Sequence, residues 1–187
     1  MLIALAIGSL LLASTYNFYM GQKKAYAIRE QVSEMQQNAR SGMELMVREI
    51  RMAGYNPTRT AGVGIIEAES HALRITMDLN GDGDMTDENE DITYSLYDSG
   101  GDGDVDLGRK PASGTNQPAA ENIASLDFVY TLANGSTTTT PANLSQIRMI
   151  QVSLTARTAR PDPTYPTNGG RRTYTLESVI IPRNLAY

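Results

Sequence analysis

The chain has 187 residues, no cysteine, one histidine and a formal net charge of −5. Disulfides and thiolate metal centres are thereby excluded, as are histidine-cluster metal sites, and histidine-based catalysis is hard to build around His71 alone. The acidity is local. Between Asp78 and Asp106 stand eleven acidic residues and no basic one, while the rest of the chain holds ten acids against sixteen Lys and Arg.

The first element is an uncharged segment, Met1 to Gln22. As a helix it reaches ~33 Å, about the thickness of a bilayer's hydrocarbon core. Only Ser9 is strongly polar before Ser14, and Ser14 to Tyr19 form a polar–aromatic mixture of the kind found at membrane–water interfaces. A secretory signal would need a basic start and a small-x-small cleavage site, and neither is present. Residues 1–22 are therefore expected to be a membrane or filament-core segment.

From Lys23 a stripe begins: Ile28, Val32, Met35, Ala39, Met43, Met46 and Ile50, in steps of three and four that hold one face of a helix. Lys24, Glu30, Glu34, Arg40 and Arg48 fall on the opposite face, with Glu44 and Arg48 at favourable i,i+4 spacing. Arg48 and Arg51 suit the negative end of the helix dipole, and Gly54 followed by Pro57 supplies a stop. Residues 23–54 thus continue the same helix, making one rod of roughly 78 Å, with the stripe expected to pack on the chain's own sheet and on neighbouring subunits.

Residues 55–187 read as a β-rich domain. Leu73, Ile75 and Met77 alternate, as do Ile92, Tyr94 and Leu96, and Ile123–Leu132, Ile147–Ala156 and Tyr174–Ile181 are strand candidates. Polar connections are expected at Gly108–Gln117, Asn134–Pro141 and Arg157–Arg172. One long helix followed only by strands predicts an α+β fold with an antiparallel sheet packed on the helix's distal half.

Two acidic loops, 78–91 and 98–109, interrupt the strands. The first places Asp78, Asn80, Asp82 and Asp84 at alternate positions with Gly83 sixth, the spacing that curls hard oxygen ligands around Ca²⁺. Asn89 stands twelfth where a glutamate is wanted, and Glu90, with Glu88 and Asp91 as alternatives, is the expected substitute. The second loop is a weaker copy, with Asp98, Asp102, Asp104 and Asp106 as ligands and Gly100 in the third ligand position. Aspartate and glycine also favour plain solvated turns, but carboxylates crowded without a cation repel one another. No P-loop, GxGxxG or GxSxG pattern appears, and no nucleic-acid partner is expected.

The segments LIALAIGSLLLAS and QVSEMQQNARSGMELMVREIRMAGYNP resemble the N-terminal helix of type IV pilin-like proteins, and within them the PilW-type minor pilins, relatives of the J-type pseudopilin of type II secretion. The likeness covers residues 1–57 closely. That family begins its mature chain with a phenylalanine after a basic leader and carries a glutamate at the fifth position. Met1 corresponds to a position just after that glutamate, so no processing residue is carried over. Lys23 and Lys24 would by themselves hold the C-terminal domain in the cytoplasm, a bias that a basic leader would oppose.

The resemblance implies a non-enzymatic assembly subunit of a type IV pilus, single-pass in the bacterial inner membrane with a periplasmic domain and carried to the cell surface on assembly. Its partners would be other pilin or pseudopilin subunits, the inner-membrane assembly machinery and the membrane. The alternatives are a type II secretion pseudopilin and, from another class, a membrane-anchored Ca²⁺-dependent adhesive module.

Overall fold

The computed structural model describes residues 1–59, 62–101 and 103–185. A single helix, α1 (Leu2–Met52), takes up the first 51 of them after Met1. No proline falls inside it, and its two glycines before the domain, Gly8 and Gly21, lie where nothing approaches their Cα atoms. The helix ends as the sequence directs. Ala53 leaves helical geometry, and Gly54 turns the chain at φ +81°, where a side chain would strike the backbone carbonyl of Asn184.

Among the described residues nine strands follow: β1 (Ile65–Ala68), β2 (Ala72–Thr76), β3 (Asp91–Tyr97), β4 (Asp106–Pro111), β5 (Gln117–Ala120), β6 (Ile123–Leu132), β7 (Thr137–Thr138), β8 (Ile147–Arg157) and β9 (Thr173–Ile180). They divide into two antiparallel sheets where one was expected: β1-β2-β3-β4-β5 and β7-β6-β8-β9. The alternation read from the sequence sets which face is buried. Leu73 and Ile75 of β2, Ile92 and Tyr94 of β3, and Leu126, Phe128 and Tyr130 of β6 all point into the core, and β6 lies against β2, β3 and β4.

Half of the expected connection at 108–117 is strand. β4 runs to Pro111 and β5 starts at Gln117, so the second acidic loop closes at Val105 and not at Arg109. Gly108, Arg109, Lys110 and Pro111 disguise β4, which takes its register from β3 through Leu96↔Leu107 and Thr93↔Lys110.

The helix packs against β5 of the first sheet and against β9 and β8 of the second. Met35, Ala39, Met43, Met46 and Ile50 are buried there, whereas Ile28 and Val32 are half-buried. Each large aliphatic side chain buried contributes ~1.5–3 kcal/mol, so this part of the stripe fastens the helix to its own domain. Close approach is set by Gly42. A Cβ there would stand 2.8 Å from the Ala120 Cβ.

Candidate functional site: a bare apolar helix and an acidic loop

None of residues 1–22 of the helix is buried against the described residues of the chain. Leu2 is 87% exposed, Leu10 72% and Phe18 69%. Among the described residues this is the one helix long and apolar enough to cross a membrane, and none of its most apolar stretch is buried. Large apolar side chains in an unbroken run at this exposure are not a stable state in water, since patches beyond a few hundred Å² mark contact sites.

The second feature is the loop between β2 and β3. It is tied to the distal end of the helix and to both flanking strands. Asp78, fully buried, accepts hydrogen bonds from Gly81 N at 2.7 Å and from the Thr58 hydroxyl at 2.5 Å, while its own N–H donates to the Tyr55 carbonyl. Glu90 returns from the start of β3 and accepts from Leu79 N at 2.7 Å and Asn80 N at 3.2 Å, both at Oε1. Between these anchors the chain makes consecutive Asx turns: Asn80 Oδ1 accepts from Asp82 N, Asp82 Oδ1 from Asp84 N, and Asp84 Oδ1 from Thr86 N. The Thr86 N–H and hydroxyl hold the Asp84 carboxyl below its usual range.

This winding gathers Asp82, Asp84, Asp87 and Glu90, with one carboxylate oxygen of each within 4.8 Å of the others. Such a group can hold a metal ion. Glu90 is 1% exposed, and its Oε2 is buried without a hydrogen-bond partner. A buried carboxylate oxygen left open costs free energy unless a donor or cation meets it. Asn80 Nδ2 donates to Asp82 Oδ2 and to Asp87 Oδ2, relieving part of the repulsion.

Of the expected first-loop ligands, Asp82, Asp84 and Glu90 are thus brought together. Asp78 stands apart as a structural anchor, and Asn80 turns its amide nitrogen, not its oxygen, to the carboxylates. Asp87, tenth in the loop, is the addition that a ligand search at odd positions passes over.

The second loop is built differently. Asp98 caps its own turn by accepting from Gly101 N and Gly103 N. Asp104 is held by Arg157 at 2.8 Å and faces Arg171 at 3.5 Å. Asp106 lies in β4, bonded to the Ser99 hydroxyl and to Asn122 N. Asp102 lies outside the described residues. Two guanidinium groups beside Asp104 already supply the positive charge that a cation would bring.

Among solved structures, a type IV-like pilin from Thermus thermophilus is similar to this chain at a TM-score of 0.52 and 14% sequence identity, over 81% of this chain and 98% of that one. No protein-family model and no curated protein matches the chain. At that identity the likeness establishes the fold, an α+β pilin-like architecture with one long N-terminal helix.

Proposed function

We propose that the protein is a structural subunit of a type IV pilus, of the PilW-type minor class, which works by assembly and not by catalysis. Residues 1–22 anchor it in the bacterial inner membrane and later pack against the helices of other pilin-like subunits. Residues 23–54 carry the anchor into the periplasm, and residues 55–187 form the periplasmic domain that makes lateral contacts. The assembly machinery of the inner membrane extracts the helix from lipid into a filament, an exchange between two apolar surroundings that leaves its large side chains out of water throughout.

The single observation that supports this reading most is the bare half-helix. Its apolar run is as long as a bilayer core is thick, and it projects from a domain whose own core is complete without it.

In the same reading the first acidic loop binds Ca²⁺. Three acidic side chains at a solvent-facing rim and a fourth buried beneath them fit a hard cation with an irregular oxygen shell better than they fit Mg²⁺, which holds its waters in a tight octahedron. Asp82, Asp84, Asp87 and Glu90 are the ligands, and the ion's role is to order the loop against the end of the helix. Asp98, Asp102, Asp104 and Asp106, the weaker expected set, are not part of this reading, because Arg157 and Arg171 already meet Asp104.

The test compares the full chain with a form starting at Lys23, both expressed with a secretion leader in a pilus-bearing bacterium. The full chain is expected in membranes and sheared filaments, and the shortened form as a soluble periplasmic monomer. Entry of the shortened form into filaments contradicts the role given to residues 1–22. Recovery of the full chain with secretion pseudopili, and not with pili, selects the type II secretion alternative.

A further inference from the structure

Four strands lie at sheet edges, and three of them are poorly suited to pairing. β1 has four residues and a register shift, β5 carries Pro118 and a register shift, and β7 has two residues. The fourth, β9, runs eight residues in regular register with β8 and pairs with no other strand among the described residues. Edge strands are usually blunted by lysine, proline or a bulge. The sequence of β9, TYTLESVI, has none of these, and Val179 and Ile181 beyond its centre are 57% and 56% exposed.

Between this edge and α1 runs an open groove of about 850 Å³. Met43 and Val47 of the helix and Leu176 of β9 form its floor. Its rim is basic. Arg40, Arg48 and Arg51 project from the helix and Arg183 from the segment after β9, against Glu44 and Glu177. Among the described residues none of these four arginines makes an ion pair. Arg51 lies in the last turn and suits the helix C-terminus, whereas Arg48, expected there with it, falls short of that turn, so the dipole accounts for neither Arg48 nor Arg40.

We propose that this groove binds an extended acidic segment of a partner protein, which adds as a strand beside β9. Backbone hydrogen bonds to the free edge supply affinity, alternate apolar side chains fill the floor, and the intervening carboxylates meet Arg48, Arg51 and Arg183. The proposal uses no residue of the membrane segment or of the acidic loop, so a chain unable to assemble still binds.

The test is fluorescence anisotropy on the full chain in detergent, with a labelled ten-residue peptide alternating valine and glutamate. Saturable binding is expected, with at least tenfold weaker binding of a valine–lysine peptide. An Arg48→Glu/Arg51→Glu variant, with folding checked by circular dichroism, should lose tenfold or more in affinity, and the milder Arg48→Gln/Arg51→Gln pair should lose severalfold. N-methylation of alternate peptide nitrogens, which keeps charge and removes strand pairing, should abolish binding. Equal binding of the acidic and basic peptides, unchanged affinity in both arginine variants, or tight binding of the methylated peptide each overturns the proposal. So does failure of the peptide to bind while the chain self-associates through the same arginines, which makes the occupant a second copy.

Discussion

The Tyr94 hydroxyl donates a 2.5 Å hydrogen bond to Glu49 Oε2, joining the middle of β3 to the last turns of the helix. Tyr94 is fully buried, and burial, with the Glu49 charge adding to it, pushes its phenol far above the usual range, so it remains a donor at any physiological pH. Arg109 of β4 completes the arrangement. Its Nε donates to both Glu49 oxygens at 3.1 Å, and a terminal nitrogen reaches Asn89 Oδ1 at 2.7 Å. One guanidinium therefore spans helix, sheet and acidic loop.

Tyr94→Phe removes the phenol but leaves Glu49 paired with Arg109, and should destabilise the domain by ~1.5–3 kcal/mol in denaturant unfolding. Glu49→Ala leaves a buried hydroxyl and a largely buried arginine without their acceptor, and should cost more, at or somewhat below the ~3–5 kcal/mol seen for broken buried pairs. An order opposite to this would mean that Arg109, and not the helix, holds Tyr94.

Gly42→Ala should destabilise by ~1–3 kcal/mol, because the new methyl group meets the Ala120 Cβ at 2.8 Å and the Leu107 side chain at 3.1 Å. Since helix propensity alone favours alanine over glycine, a stabilised variant would show that the helix shifts freely along β5.

Calcium should raise the melting temperature. A ligand confined to the folded state stabilises it by ~2.7 kcal/mol at a hundredfold excess over Kd, which is ~5–10 °C for a domain of this size. Glu90→Gln and Asp87→Asn should each remove most of that response, and Mg²⁺ should reproduce little of it. Asp78→Ala should lower stability with and without Ca²⁺, because Asp78 secures the loop to Thr58 and Gly81 from outside the carboxylate group. Calorimetry with and without chelator separates these cases.

The helix and most core strands are legible in the sequence because local periodicity and burial coincide there. Met35, Ala39, Met43, Met46 and Ile50 recur at helical spacing, and Ile123–Leu132 alternates, so each residue's neighbours predict its face. β4 is hidden because its pairing with β3, not its own composition, makes it a strand. The Glu49–Arg109 contact joins residues sixty positions apart and leaves no local trace. Asp87 escapes for a related reason. A ligand pattern borrowed from a loop between helices counts odd positions, whereas this loop closes between two strands and folds its tenth residue back over the fifth and seventh.

The loop of residues 158–172 should loosen in acid. The Thr164 hydroxyl, then Arg172, holds the Asp162 carboxyl down to about 2. A depressed folded value means that the unfolded chain takes up the proton first. The contribution is therefore complete above the ordinary aspartate range, near pH 4, and is lost as pH falls toward about 2. Protection of the Thr164 and Gly170 amides, measured against the intrinsic exchange rate at each pH, should fall across that window, and Asp162→Asn should show the reduced protection already at neutral pH.

The central claim is that the bare half of the helix exists to be covered by other pilin-like subunits. A photo-reactive residue at Leu11, introduced into the full chain in cells that assemble pili, tests it most directly, with Thr137 in β7 as a control. Irradiated filaments are expected to yield adducts from Leu11 to the apolar N-terminal helices of neighbouring subunits, identified by mass spectrometry, and none of that kind from Thr137. Adducts from Leu11 to lipid alone, with the protein absent from filaments at every stage of assembly, would contradict the claim and leave the helix as an ordinary membrane anchor.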